Sequence, residues 1–407
     1  MQGKALIAVP TVIFLVGLCV QSILAVEGRS YITDERWQRI LIQSALILAA
    51  AAVVAFFYPL LIKLVYLRAA IAVLLLFILG IYVATLLFGR TVNGSTGWIK
   101  VGSILLQPTE IALPLYILAM AALLNHNRFR GFENWRIGLC IGFTACCMLL
   151  ILLQNELGGV MVMAFTFAVM AFTYIENRRR LALILLALLA LCALLTLLLY
   201  AATKACVERE IFLSQTEKIQ GMFDRVFLRV DIWRNFETFY KEEGQPKLYD
   251  SAYQMDCGLR AIVFGGLWGG DHRYFVYLPV AESDMIFPMT VQIFGLVASL
   301  LLVIAFWIYA YVGFHTAIET RNPLNKALLF GFSACLFLRA CSQIAGSVGL
   351  LPLAGMPMPF MSSAGSSLLG CACMAGMLLR QHQINLKESG NHSHISSPER
   401  RRFLWSH

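Results

Sequence analysis

Long apolar stretches alternate with short polar segments along most of this 407-residue chain. A helix that crosses the hydrocarbon core of a membrane needs about 20 predominantly apolar residues. Runs that approach or exceed this length lie at 5–26, 39–62, 69–89, 106–125, 137–153, 160–175, 181–203, 285–312, 327–347 and 366–380. The pattern predicts an all-α integral membrane protein with about ten transmembrane helices.

Composition supports this fold class. Hydrophobic residues make up 59% of the chain, charged residues only 14%, and the mean hydropathy is +0.74. A soluble domain carries about 25% charged residues, so this chain has too little polar surface to cover a water-soluble globule.

The predicted spans divide the chain into a polytopic membrane domain, 1–380, and a basic tail, 381–407, which we expect to be disordered. A polar and aromatic loop at 204–284 separates helices seven and eight. Within it, RVFLRVDIWRNFETFY (225–240) mixes bulky apolar and basic residues at helical spacing. That spacing is typical of an amphipathic helix on a membrane surface, although an ordinary solvated loop is the alternative.

Lysine and arginine set the predicted topology. They cluster in alternate loops, as at 128–136 and 178–180, and in the tail at 400–402. Because cytoplasmic loops carry the excess of these residues, both termini should be cytoplasmic and 204–284 should lie outside. The net charge of +9 reflects this bias, so we expect membrane lipids and no nucleic acid as partners.

Most of the eleven cysteines lie inside predicted spans, where cysteine behaves as a small hydrophobic residue. No CxxC or Cys/His spacing predicts a metal site of the zinc type. Cys206 and Cys257 both lie in the outer segment, where a disulfide between them is chemically allowed.

Several polar residues lie in the outer halves of the spans, where ionisable groups are costly and often functional. They are Gln107, Glu110, Gln154, Glu156, Asp284, Arg339 and Gln343. Each has a structural alternative, such as a helix cap, a first-turn acid or a snorkelling arginine. Helix-capping acids would be scattered over both faces, whereas these residues collect at one, and this favours a common site.

The stretch GLLPLAGMPMPFMSSAGSSLLG (349–370) is rich in proline and small residues and cannot form one straight helix. Irregular backbone at membrane depth is tolerated where protein or a water-filled cavity surrounds it. We therefore expect this stretch to line a cavity that opens outward.

Five stretches, in this order, resemble motifs of the SEDS family (shape, elongation, division and sporulation), the RodA- and FtsW-like peptidoglycan polymerases. They are GWIKVGSILLQPTEIA (97–112), LLQNELGG (152–159), YQMDCGLRAIVFGGLWGG (253–270), LPVAESDMIF (278–287) and LLPLAGMPMPFMSSAGSS (350–367). The similar family motifs read RWI…QPSE, QPDLGT, YQ…QS…AI…GG…G, LPEAHTDFIF and LLPVTGIPLPFISYGGSS.

The resemblance implies a ten-span protein in the bacterial cytoplasmic membrane that polymerises lipid II on the outer face, usually with a class B penicillin-binding protein. The essential acid of the family falls on Asp284. Trp98 and Ser362 are further retained residues, and Glu282 lies close to the position of the Glu of LPE. The role in division, elongation or sporulation stays open.

The chemistry agrees with that assignment. Polymerisation needs a base that takes a proton from the sugar 4-hydroxyl, and desolvation would raise the pKa of Asp284 toward a useful value. The pyrophosphate leaving group needs positive charge, for which Lys100, Arg225 and Arg229 are candidates, or a divalent cation such as Mg²⁺ or Mn²⁺.

Departures from the motifs are also visible. The basic residue that follows QPSE in the family is Leu113 here, so Glu110 needs another partner, for which Arg339 is the candidate. The Arg before Trp98 is Gly97, and the Asp of QPDLG is Glu156. These losses keep one alternative open beside the enzyme, a non-catalytic scaffold of the division or elongation machinery. A lipid II flippase is a second alternative, but it would need a charged path through the inner halves of the spans, where few charges lie.

Overall fold

The structure, a computed structural model, describes residues 2–26, 34–92, 95–101, 104–125, 133–175, 177–208, 213–236, 251–270, 275–353 and 355–395. The helices within these ranges are α1 (Gln2–Val26), α2 (Asp34–Val65), α3 (Arg68–Phe88), α4 (Pro108–Asn125), α5 (Glu133–Leu153), α6 (Leu157–Tyr174), α7 (Arg178–Glu208), α8 (Leu213–Arg234), α9 (Ser251–Gly265), α10 (Ile286–Glu319), α11 (Pro323–Ser347) and α12 (Gly365–Ile395).

Within the described ranges, nine helices are long and apolar enough to cross a membrane, so the protein is a multi-pass membrane protein. They are α1 to α7, α10 and α11. Helix α12 contains the tenth predicted span, 366–380, but is not among the nine. Its apolar stretch is short because serines precede it and Arg380, Gln381 and His382 follow it.

Helices α4 and α11 form the centre of the bundle, with 72% of the most apolar part of each buried. Both are apolar or small on nearly every side, which is the pattern of a helix surrounded by protein. Helix α7 is the opposite case, with only 11% buried and leucines such as Leu183 and Leu197 exposed on its surface. This surface is suited to contact with lipid.

A small antiparallel sheet lies between α3 and α4, where the sequence predicts only a connection. Its strands are β1 (Arg90–Val92), β2 (Ser95–Val101) and β3 (Ile104–Leu106), in that order. The backbone N–H of Thr96 donates to the carbonyl of Gln154, which ties the sheet to the turn between α5 and α6.

In the described part of the segment 204–284, two helices follow the end of α7, namely α8 and α9. The helix predicted at 225–240 is real up to Arg234 but begins earlier, at Leu213, and 237–250 lies outside the described residues. Cys257 is a buried thiol, and the side chain of Cys206 lies outside the described part of the structure, so the disulfide that the sequence allows between them stays a prediction.

Helix α10 is broken at Gly295, whose φ of 83° is left-handed. The turn that follows α9 packs against the break, where the N–H groups of Leu296 and Val297 donate to the carbonyls of Gly266 and Leu267. A Cβ at Gly295 would lie 2.4 Å from the nitrogen of Gly269, so this close backbone contact requires glycine. The same junction accounts for Gly265 and Gly269, where an added Cβ would lie 2.4 Å from the carbonyl oxygen of Val291 and 2.5 Å from that of Ile293.

The prediction of a disordered tail from residue 381 is wrong for its first part, because α12 continues as helix to Ile395. Buried polar contacts hold this part in place. Gln381 accepts a hydrogen bond from the hydroxyl of Tyr58, and the Asn385 side chain donates to Thr320 Oγ1. Residues 396–407 lie outside the described ranges.

Candidate active site

A cavity of about 300 Å³ lies where four of the five family-like stretches meet. Strand β2, the start of α4, the α5–α6 turn, α8, the turn before α10 and the proline-rich stretch before α12 all contribute to its walls. Of the residues that the sequence singles out, those that line the cavity are Trp98, Gln107, Glu110, Glu156, Arg229, Glu282 and Asp284.

Asp284 lies at the end of a tight turn that leads into α10. The turn is closed by the N–H groups of Ser283 and Met285, which both donate to the carbonyl of Val280. Val280 itself has a φ of 55°, a left-handed conformation that is uncommon for a β-branched residue. Strained backbone of this kind is concentrated at functional sites and persists where the surrounding structure holds it.

Two neighbouring segments clamp this turn. The Gln343 side chain on α11 donates from Nε2 to the backbone carbonyl of Asp284 at 2.8 Å. Ser363 donates from its N–H and from its hydroxyl to the carbonyl of Glu282, at 3.0 and 3.1 Å. The proline-rich stretch therefore lines the cavity, as the sequence predicts, and also fixes the backbone that carries Asp284.

The carboxyl group of Asp284 is half-buried in the cavity wall. A Cβ added at Gly355, which has no side chain, would lie 3.4 Å from Oδ2 of this carboxyl group. Burial raises the pKa of Asp284 from its usual value of 3.8 to about 6, while the nearby guanidinium of Arg229 and a hydrogen bond from Ser283 lower it. A carboxyl group with this pKa is largely ionised at neutral pH yet basic enough to accept a proton.

Glu110 and Arg339 form the ion pair that the sequence suggests, which replaces the partner lost at Leu113. Arg339 Nη1 donates to Glu110 Oε2, and Nη2 donates to the hydroxyl of Ser367 at 2.7 Å. The Arg339 side chain is only 1% exposed. The pair joins α4 to α11, the two most buried spans, and leaves part of Glu110 on the cavity wall.

Glu156 is a second buried acid on the wall. Its Oε1 accepts hydrogen bonds from Gln107 Nε2 at 2.8 Å and from the Ser95 hydroxyl at 3.3 Å, and its Oε2 accepts one from the Thr109 hydroxyl at 3.0 Å. Burial raises the pKa of Glu156 from 4.5 to about 7, against the lowering effect of these hydrogen bonds.

The other predicted site residues do not line this cavity. Gln154 is buried and donates to the carbonyl of Tyr82, and Ser362 accepts a hydrogen bond from the N–H of Ala364. Arg339 and Gln343 act behind the wall through Glu110 and Asp284. Lys100 is exposed on β2, and the side chain of Arg225 lies outside the described part of the structure.

Sequence reasoning missed several polar wall residues: Tyr82, Ser95, Thr109, Asn155 and Ser363. Thr109 carried a usable signal, because it lies between the singled-out residues Gln107 and Glu110, on the first turn of α4. Ser95 and Ser363 carried no such signal, since their roles depend on contacts with residues 61 and 81 positions away.

The site does not provide a metal cage. Among the described residues, no three His, Cys, Asp or Glu side chains gather closely enough to hold a metal ion. Magnesium is commonly bound through one or two carboxylates together with substrate phosphates. The divalent cation that the sequence suggests therefore stays a prediction. A comparison of the polymerisation rate with and without a chelator tests it.

Residues 4–386 match the family of cell cycle proteins that comprises FtsW, RodA and SpoVE. The chain is 26% identical over 307 residues to a probable peptidoglycan glycosyltransferase FtsW from Enterococcus hirae, covering 74% of this chain and 72% of that one. It is 28% identical over 322 residues to the corresponding protein from Alcanivorax borkumensis, covering 77% and 73%.

Two solved structures share the fold. One is a peptidoglycan synthase complex described as coordinating polymerization and crosslinking, with a TM-score of 0.63, 22% identity and coverage of 93% of this chain and 97% of that one. The other is the rod shape determining protein RodA of Thermus thermophilus, with a TM-score of 0.54, 20% identity and coverage of 93% and 96%. With a family match over nearly its whole length, this chain belongs to the FtsW, RodA and SpoVE family of cell cycle proteins.

Proposed function

We propose that this protein is a peptidoglycan glycosyltransferase that polymerises lipid II into glycan strands, with Asp284 as the catalytic base. The observation that carries the proposal is the position of Asp284. It is half-buried in a cavity of about 300 Å³, its backbone is clamped from two sides, and the pKa of its carboxyl group is raised to about 6. The names of the sequence relatives support the same activity.

The reaction joins two lipid-linked sugars. The Asp284 carboxylate takes the proton from the 4-hydroxyl of the acceptor sugar as that oxygen attacks the anomeric carbon of the donor. A new bond forms between this oxygen and the anomeric carbon, the bond from that carbon to the pyrophosphate oxygen breaks, and the pyrophosphate leaves with both bonding electrons. Attack from the opposite face inverts the anomeric configuration.

The cavity wall suits this step. Arg229 contributes positive charge beside Asp284 and is the candidate to stabilise the pyrophosphate. Apolar wall residues such as Ile151, Met163 and Met356 exclude water around the acids. Glu110 is held by Arg339, so its role here is to support the cavity wall.

We further propose a class B penicillin-binding protein as the partner. The fold similarity to a peptidoglycan synthase complex supports an assembly of this kind. We also propose a cytoplasmic membrane location with both termini inside, which the bias of lysine and arginine supports. In this orientation the cavity opens at the outer face.

The test is polymerisation of lipid II by the purified full-length protein, alone and with its penicillin-binding partner. Asp284→Ala should reduce the rate by about 10²- to 10⁴-fold, the contribution expected of a general base. Asp256→Asn is the matched control, because Asp256 is an acid of the outer segment that pairs with Arg260 outside the cavity.

Unchanged polymerisation by Asp284→Ala would remove this residue from the role of base. If the wild-type protein makes no glycan with any partner, the scaffold alternative replaces the enzyme. Transfer of labelled lipid II across vesicles, unaffected by Asp284→Ala, would instead support the flippase.

A further inference from the structure

Gly97 and Glu156 occupy one space in the cavity wall. A Cβ added at Gly97 would lie 1.7 Å from Oε1 and 2.8 Å from the carboxyl carbon of Glu156. Atoms that are not bonded to each other cannot approach this closely. Gly97 is not among the described glycines with positive φ, so what this position requires is room for Glu156 and not an unusual backbone conformation.

The Glu156 carboxylate joins three parts of the fold. Its hydrogen bonds come from Ser95 on β2 and from Gln107 and Thr109 at the start of α4, while Glu156 itself stands before α6. A buried carboxylate with three donors is well satisfied and holds its donors in fixed positions. Trp98, three residues after Ser95 on β2, and Glu110, next to Thr109, both line the cavity.

The two departures from the family-like motifs therefore explain each other. A glutamate at 156 reaches one methylene further than the Asp of QPDLG, and its carboxylate fills the space beside residue 97. A glycine at 97, in place of the Arg that precedes Trp in the family motif, leaves that space free. With an aspartate at 156, the carboxylate would retract from residue 97 and from its donors.

We propose that Glu156 is a positioning residue for the reaction cavity, and that Gly97 is required because it makes room for the Glu156 carboxylate. Glu156 fixes the wall formed by β2 and the start of α4, and thereby the places of Trp98 and Glu110. The effect on catalysis rests on the proposed glycosyltransferase function, whereas the coupling of Gly97 to Glu156 is a property of the fold.

A double-mutant cycle tests the pair in the full-length protein with lipid II as substrate. Gly97→Ala should lower kcat at least about tenfold in the presence of Glu156, yet less than about threefold in the Glu156→Asp background. The smaller loss of kcat in the Glu156→Asp background separates a positioning role from a general loss of fold. If Gly97→Ala only destabilised the fold, it would lower kcat by the same factor in both backgrounds.

Gly142→Ala on α5 is the matched control, because an added Cβ there meets no atom within 4 Å, and it should keep wild-type activity. The proposal is overturned if Gly97→Ala has no effect alone or costs the same factor in both backgrounds.

The melting temperature of the four proteins of the cycle, measured in detergent, gives a second readout that does not need activity. Gly97→Ala should lower the Tm by at least about 3 °C in the wild-type background and by clearly less with Glu156→Asp. If the wild type makes no glycan but the Tm loss caused by Gly97→Ala depends on residue 156, the proposed function is wrong while the proposed coupling of Gly97 to Glu156 is supported. Equal Tm losses in both backgrounds overturn the pair.

Discussion

Glu110 and Asp284 line the same cavity, but the structure holds the two acids in different ways. Glu110 is tied by an ion pair to Arg339, between the two most buried spans. Asp284 is held through its backbone, by Gln343 and by the turn it ends, and its side chain is left facing the cavity. The comparison separates an acid that joins helices from an acid that is available for proton transfer.

Removal of Arg339 leaves the Glu110 carboxylate without its cation. Arg339→Met should lower the free energy of unfolding by about 3–5 kcal/mol, because removal of one partner leaves a buried charge uncompensated. Thermal or denaturant unfolding in detergent measures the loss. The double variant Glu110→Gln with Arg339→Met should be more stable than Arg339→Met, and an equal or larger loss would show that the pair does not carry the effect.

Arg260→Ala is the matched control for this prediction. Arg260 also forms an ion pair, with Asp256, but its side chain is 49% exposed. Its removal should cost less than about 1 kcal/mol, as is usual for ion pairs at a surface.

At Asp284 the opposite result is expected. Asp284→Asn removes a charge that burial disfavours, so the melting temperature should stay the same or rise while polymerisation is lost. A variant that loses activity and also melts much earlier than wild type would place Asp284 with Glu110, as a structural acid.

The rate of polymerisation should depend on pH through Asp284. Its raised pKa means that the carboxylate, the form that accepts a proton, predominates above about pH 6 and is lost below it. The value of kcat should therefore fall by about tenfold for each pH unit below 6. A flat profile between pH 5 and 8 would indicate an Asp284 carboxyl group with an ordinary pKa, or a different base.

A smaller loss of activity is expected when the hydrogen bond from Gln343 to the backbone of Asp284 is removed. Gln343→Ala removes the hydrogen bond to the Asp284 carbonyl and should lower kcat by about five- to tenfold, which corresponds to about 1 kcal/mol for one hydrogen bond. Gln383→Ala on the exposed part of α12 is the control and should have no effect. Equal rates for both variants would show that the turn holds Asp284 without Gln343.

The sequence predicts those parts of the site in which the burial of a charged group in the membrane carries a high free-energy cost. Charged groups at membrane depth need partners, which is why Glu110 and Arg339 could be paired before the structure. Asp284 stood out because it precedes a long apolar run. The ten helical segments follow from apolar length alone, although α12 is too interrupted to count among the nine spans.

Contacts between distant segments could not be predicted in this way. The clamp of Ser363 on Glu282 and the bond from Ser95 to Glu156 depend on how helices pack, which no local pattern encodes. The strands β1 to β3 are short and carry little alternation. The start of the tail is held at Gln381 and Asn385 by buried polar contacts from other helices, which its own composition does not reveal.

The break in α10 connects the segment after α9 to the helix that begins beside Asp284. Backbone hydrogen bonds join the turn at 266–270 to α10 on both sides of Gly295: the N–H groups of Leu296 and Val297 donate to this turn, and the N–H of Gly270 donates to the carbonyl of Gln292. Trp268 belongs to the same turn and is 80% exposed. A substitution at this surface indole therefore acts beside the backbone contacts that hold the first turns of α10.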